Sequence, residues 1–154
     1  MPPNARVWVY QSSRALSASE INDITISGND FIREWAAHGA SLKASFEVLY
    51  GRFIIIAVDE QQALASGCSI DTSVKFIKEL EQQYNLNLFD RLQVAYRIGN
   101  EILGCHISEF EKLAQQGIVN GSTIVFNNMV STKVAFDKEW EVPVKDSWQK
   151  KVLI

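Results

Sequence analysis

The densest group of reactive side chains is Ser66-Gly67-Cys68-Ser69-Ile70-Asp71-Thr72-Ser73. Hydroxyls, a glycine and the predicted start of a helix can hold a phosphate or a carboxylate. The first N–H groups of a helix lack internal partners and carry partial positive charge. On this reading Ser66, Gly67, Ser69, Asp71 and Ser73 form a small-anion site, joined by Arg97 from a later strand. Asp71 also has a plainer role, since as an N-cap it would itself occupy the place of an external anion. A thiol beside a helix N-terminus can lose its proton easily and become a nucleophile. Cys68 with His38 as its base therefore makes a second reading, a thiol-dependent enzyme. A phosphatase loop is excluded, because Val74 stands where its arginine is needed.

A metal held by Cys68, Cys105 and a histidine is the rival to the thiol enzyme, but its spacing is not diagnostic: Cys105 and His106 are adjacent, no Cys-x-x-Cys pair exists, and a buried structural cysteine is the plainer account. The apolar run Phe53 to Val58 ends in Asp59 and Glu60 and so resembles a Walker B strand. In nucleotide hydrolases such an Asp helps to hold magnesium and the Glu can position water. That strand works with a phosphate loop of the form GxxxxGK[ST], and no Gly-Lys pair occurs in this chain. A buried strand ending in surface carboxylates is the plainer account. No cofactor is specified.

Several elements must position these groups. Arg6 to Gln11 reads as a strand buried on both faces. Ser17 and Glu20 have capping-box spacing, and the helix they open runs toward His38-Gly39, with Ile26 to Asp30 as a point where it could divide. Leu42 to Tyr50 alternates as a half-exposed strand, Gly51 turns the chain, and Phe53 to Val58 returns as a fully buried strand. A helix capped by Asp71 follows, then an alternating strand from Leu92 to Ile98. The order β-α-β-β-α-β predicts an α+β fold of ferredoxin-like plan over residues 6–98. The two continuous apolar strands are the central ones in that plan, and the two alternating strands are its edges. Residues 99–154 are predicted to extend the same domain. They hold a short helix from the Ser108/Glu111 box to Gly117 and a strand near Thr123 to Phe126. Two helices cover only one sheet face, so this extension or a second subunit must cover the other.

At 154 residues, with 47% hydrophobic and 21% charged residues, the chain is expected to form one domain, residues 1–154, with a sizeable core. A net charge of −3 with interspersed signs disfavours a nucleic-acid partner. The longest apolar run is far short of a membrane span, and no signal segment is visible. Two cysteines make no disulfide framework, so a cytoplasmic setting is expected. A homodimer is a further expectation: Trp8, Trp35, Trp140 and Trp148 are read as core or interface anchors, and the segment Lys138 to Lys151 either wraps the domain or mediates dimer contact.

Over Trp8 to Arg14, His38 to Glu60 and Ala65 to Glu81 the chain resembles a family of small bacterial proteins of unassigned activity, often labelled "ABC transporter ATPase". The resemblance spans most of the chain. It implies ATP binding, with Asp59 and Glu60 as the nucleotide-site residues.

Overall fold

The computed structural model describes residues 1–37 and 39–153. In chain order the elements are β1 (Arg6–Gln11), α1 (Ala18–Glu34), β2 (Ala36–Ala37), β3 (Ala40–Ser41), β4 (Lys43–Leu49), β5 (Phe53–Asp59) and α2 (Gly67–Tyr84). The second half adds β6 (Gln93–Ile98), β7 (Glu101–His106), α3 (Ile107–Gln115), β8 (Ile124–Phe126), α4 (Lys133–Glu139), β9 (Glu141–Pro143) and 3-10 turns at Val144–Asp146 and Trp148–Leu153. The chain is α+β, with antiparallel sheets.

The first sheet has the order β1-β5-β4, with β5 in the centre. All seven β5 residues are buried, as its unbroken apolar sequence requires. Ile54, Ile56 and Val58 pack with Ile24 of α1 and Ile77 and Leu80 of α2. The alternate residues Phe53, Ile55 and Ala57 pack on the other face against Ala95, Phe126, Val130 and Trp140. The predicted cover for that face therefore comes from the chain's own last third. Tyr50 and Gly51, both at positive φ, form the turn between β4 and β5, which the Arg52 N–H closes on the Leu49 carbonyl at 3.1 Å; Leu49 pairs with Phe53, so three residues connect the strands.

The second sheet has the order β7-β6-β8-β9 and lies across the first. Its far face, carrying Val94, Tyr96 and Val125, closes on Phe110 of α3 and on Val144 and Val152. The layers are thus helices, sheet, sheet, and helix with 3-10 turns. The predicted fourth strand does form as β6, but it pairs with β7 and β8 rather than with β1. Two causes are visible. Gly99, at φ 60°, turns the chain straight back into β7, and a local hairpin closes a far shorter loop than pairing with β1 would. Ala95 is also only 1% exposed, so β6 is buried on both faces and is a central strand rather than the half-exposed edge its alternation suggested. The order β1-β5-β4 matches the first three strands of the expected plan.

Helix α1 starts at the predicted box: the Ser17 side chain accepts from the Glu20 N–H, and the Glu20 carboxylate accepts from the Ser17 N–H. It runs unbroken through Ile26 to Asp30 because Gly28 is needed there. A Cβ at Gly28 would lie 2.1 Å from Cε1 of Phe46 on β4.

Candidate ligand cleft along strand β1

The SGCS segment is an N-terminal helix cap. Helix α2 begins four residues before the expected Asp71 cap, because Ser66 and Ser69 cap it reciprocally. The Ser69 N–H donates to Ser66 Oγ at 3.1 Å, and the Ser66 N–H donates to Ser69 Oγ at 2.8 Å. Ser69 Oγ also donates to the Ser66 carbonyl at 2.9 Å, and Ser73 Oγ donates to the Ile70 carbonyl at 2.6 Å. Three of the expected anion ligands are thus engaged with the helix itself. Gly67 is the first helical residue, and Asp71 sits exposed in the second turn. Cys68 is exposed on the first turn. Its proposed base, His38, lies outside the described residues. Among the described residues no group of three or more His, Cys, Asp or Glu could hold a metal ion.

Arg97 is not brought to this segment. It lies where the Tyr50 turn of the β4–β5 hairpin meets the second sheet, whereas Ser66 follows the opposite end of β5. Arg97 Nε donates to Glu141 at 2.6 Å, and its guanidinium stacks 4.9 Å above the Tyr50 ring. The Glu141 hydrogen bond raises the Arg97 pKa, while burial and the same carboxylate raise that of the Tyr50 phenol. The residues of the Walker B comparison turn inward too. Asp59, 5% exposed, accepts from the Gln61 N–H at 3.1 Å and faces Lys43 Nζ at 3.7 Å. Glu60 accepts from the Ala65 N–H at 2.8 Å. Both carboxylates fold the loop that leads to α2. Cys105 lies on β7, its thiol pKa pushed up by burial and by Glu109, and His106 caps α3 through Nδ1 and the Ser108 N–H at 3.1 Å.

A cleft lies elsewhere, along β1. It encloses about 510 Å³ and is lined by all six β1 residues. On one side stand Val74 of α2 and residues 88–91, held to β1 by the edge-on contact of Tyr10 with Phe89, centroids 5.4 Å apart. On the other side stand residues 128–131 with Trp148 and Gln149. Burial raises the Tyr10 pKa, which keeps the phenol neutral. A hollow of about 240 Å³ between Tyr50 and Trp140 also exists, but its acid Glu141 is already bonded to Arg97 and Tyr50.

Three features give the β1 cleft its chemistry. The first is a pair of glutamines in its lining. Gln11 is 8% exposed and Gln149 2%, yet Gln11 Nε2 and Gln149 Oε1 have no hydrogen-bond partner among the described residues. Buried amide atoms are usually paired, and an unpaired one is unfavourable. Both atoms are shut off from solvent, so the side chain would have to turn to bring either one to the cleft. Gln11 is otherwise fixed: its Oε1 accepts from Asn128 Nδ2 at 2.8 Å, and Asn128 Oδ1 accepts from Trp140 Nε1 at 3.0 Å.

The second feature is the free edge of β1. The Ser12 N–H donates to the Arg52 carbonyl, which continues the pairing with β5, so Arg6, Trp8 and Tyr10 direct their backbone groups to β5. Val7, Val9 and Gln11 face the opposite way. The Val7 N–H is met by the Ser131 carbonyl at 2.9 Å. Beyond it the Val7 C=O, both backbone groups of Val9 and the Gln11 N–H find no partner among the described residues. The third feature is charge. Arg6 and Arg91 line the cleft and form no ion pair among the described residues, while Asp90 is occupied by the Leu92 N–H and Gln93 Nε2.

No protein-family model, curated protein or solved structure matches the chain. Function is therefore argued from this geometry alone. Sequence reasoning did not single out Gln11, Gln149, Arg6 or Arg91. The two glutamines are far apart in the chain, and the one local signal was a polar residue ending an otherwise apolar buried strand. Among the described residues no helix is long and apolar enough to cross a membrane.

Proposed function

We propose that the chain is a binding module whose ligand occupies the cleft along β1. The observation that carries this reading is the row of backbone groups on the outer edge of β1, the Val7 C=O, both groups of Val9 and the Gln11 N–H, which have no partner among the described residues and belong to residues that line the cleft. An amide, which carries both a donor and an acceptor, suits such an edge. The fold reading supports the same place. In a ferredoxin-like plan the last strand lies beside the first, and here that position beside β1 holds the cleft. The rival readings put the ligand at residues 66–73, as an anion or as the partner of a Cys68 nucleophile, or at Asp59 and Glu60, as a nucleotide.

Amide NMR shifts decide between them. The probes are N-acetyl amino-acid amides, inorganic phosphate and ATP with magnesium, each titrated into the labelled chain. The amides are expected to shift β1, residues 88–91 and residues 128–131 together. Shifts at residues 59–73 with phosphate or nucleotide, and none in the cleft with any probe, would refute the cleft reading in favour of the anion or nucleotide site.

A further inference from the structure

We infer that the occupant of the cleft is an extended acidic segment of a partner polypeptide, which pairs as a strand with the free edge of β1. This inference rests on the binding-module reading and names its ligand. The first argument is spacing. The Val7 C=O, the Val9 N–H and C=O and the Gln11 N–H recur along one edge at the two-residue period of a β-ladder. A row of backbone donors and acceptors at this period is complementary to another backbone. Length agrees: the vacant edge from the Val7 C=O to the Gln11 N–H extends roughly 13 Å at strand rise, room for a short strand of about four residues.

The second argument concerns the ends. Ser131 already pairs with Val7 as a strand would, with an antiparallel bridge at Arg6 and Thr132, and then residues 127–130 turn away from the edge. The chain itself begins the added strand and leaves the rest vacant. At the far end of β1 stands Gln11, and it and Gln149 of the lining each hold a buried amide atom with no partner among the described residues. The third argument is charge. Arg6 and Arg91 outnumber Asp90 among the charged lining residues, so in a chain of net charge −3 the cleft carries one positive charge in excess and favours Asp or Glu in the incoming segment. A second copy of β1, Arg-Val-Trp-Val-Tyr-Gln, carries no acid and would bring a further arginine to the same place.

The test starts from a display library of short random peptides selected against the intact chain, with the enriched sequences synthesised. Acidic sequences are expected to dominate. Binding is then measured by fluorescence anisotropy against the wild type, Val9→Pro and the Arg6→Glu/Arg91→Glu double variant. Val9→Pro removes one edge donor whose N–H points away from β5, so the β1–β5 ladder is untouched. It is expected to weaken binding about tenfold, the loss of one well-made hydrogen bond in a buried setting. The charge reversal is expected to weaken it at least as much at low salt and to flatten its salt dependence.

Hydrogen exchange at the Val9 amide gives a readout that needs no variant. It should slow about tenfold or more when peptide saturates the wild type. Peptides that shift cleft resonances yet leave Val9 exchange unchanged would overturn strand pairing while the cleft remains a binding site. Amide probes that bind where no library peptide does would do the same. If neither binds the cleft, both readings fall. Self-association abolished by Val9→Pro, with no peptide binding, would make the occupant a second copy and overturn the inference as stated.

Discussion

Replacing Gln149 by methionine should make the chain more stable and at the same time blunt its binding. Gln149 is 2% exposed, its Oε1 has no donor, and its side chain makes no hydrogen bond among the described residues. Only its backbone N–H is engaged, with Ser147 Oγ at 3.2 Å, and this bond does not depend on the side chain. A buried acceptor without a partner is unfavourable by about 1–3 kcal/mol. Methionine is similar in length, flexible enough to fill the same space, and carries no group that needs a donor. Taking the lower half of that range, Gln149→Met should gain about 1–2 kcal/mol. For a chain of this size, that raises Tm by about 2–8 °C. Gln11→Met provides the control. It too removes an unpaired buried atom, Nε2, but its Oε1 is the acceptor for the half-buried Asn128 amide, which in turn holds Trp140. The two effects oppose each other, so Gln11→Met should gain at least about 1 kcal/mol less than Gln149→Met. Urea melts monitored by tryptophan fluorescence measure both. A loss of stability in Gln149→Met would show that the Gln149 amide is already satisfied, and the case from its unpaired atom would collapse.

Three further outcomes are expected. Gly28→Ala should lose about 1–2 kcal/mol although alanine favours helix by about 1 kcal/mol, because its Cβ would meet the buried Phe46 ring at 2.1 Å; in a Phe46→Ala background the same change should stabilise, and thermal melts of the four-member cycle read the reversal. The Arg14 side-chain hydrogen bonds and the Ser17 N–H hold the Glu20 carboxyl at a pKa of about 2 against an ordinary 4.5, so folding favours its ionised form. Stability from this contact is complete above the unfolded value and disappears as pH falls from about 4.5 through about 2; a carboxyl-carbon titration should show the low midpoint, and Arg14→Ala should return it toward normal. Of the two thiols, exposed Cys68 should react with a disulfide reagent in the native chain, while Cys105, half-buried and with its pKa pushed up, should lag until urea unfolds it; equal native rates would contradict the placement of Cys105 on β7.

What could be read from the sequence depended on how local its cause was. The Ser17/Glu20 box, the buried run Phe53 to Val58 and the turn at Gly51 follow from neighbours within a few positions, and all were legible, whereas Asp59, expected at the surface, is the buried last residue of β5. The start of α2 was misplaced because Asp71 and Ser66 are equally good caps by type, and Ser66 wins through its reciprocal bonds with Ser69. Leu92 to Ile98 alternates as an edge strand would, yet Ala95 is small and buried between two sheets, and alternation cannot separate a small residue facing solvent from one facing a second sheet. β7 carries two polar ends and a glycine within Glu101–His106, so it gave no strand pattern, and α4 is too short for a helical stripe to stand out. Which strand lies beside β1 is decided by residues more than a hundred positions away, Ser131 and Thr132, and no local pattern carries that. The cleft is a consequence of that pairing, so its residues could not be found before it.

The cover on the first sheet also sets a clock. Phe53, Ile55 and Ala57 leave the ribosome early, but Phe126 and Trp140, which shield them, follow about 80 residues later, roughly 4–16 s at ordinary synthesis speed. During that interval α1 and α2 can already close one side of the sheet, while the other side stays bare and β1 has no neighbour on its outer edge. A nascent chain stalled between residues 60 and 125 would therefore display a sticky apolar plate with an open strand edge. Chaperone dependence should peak in that window and end abruptly once Trp140 is made.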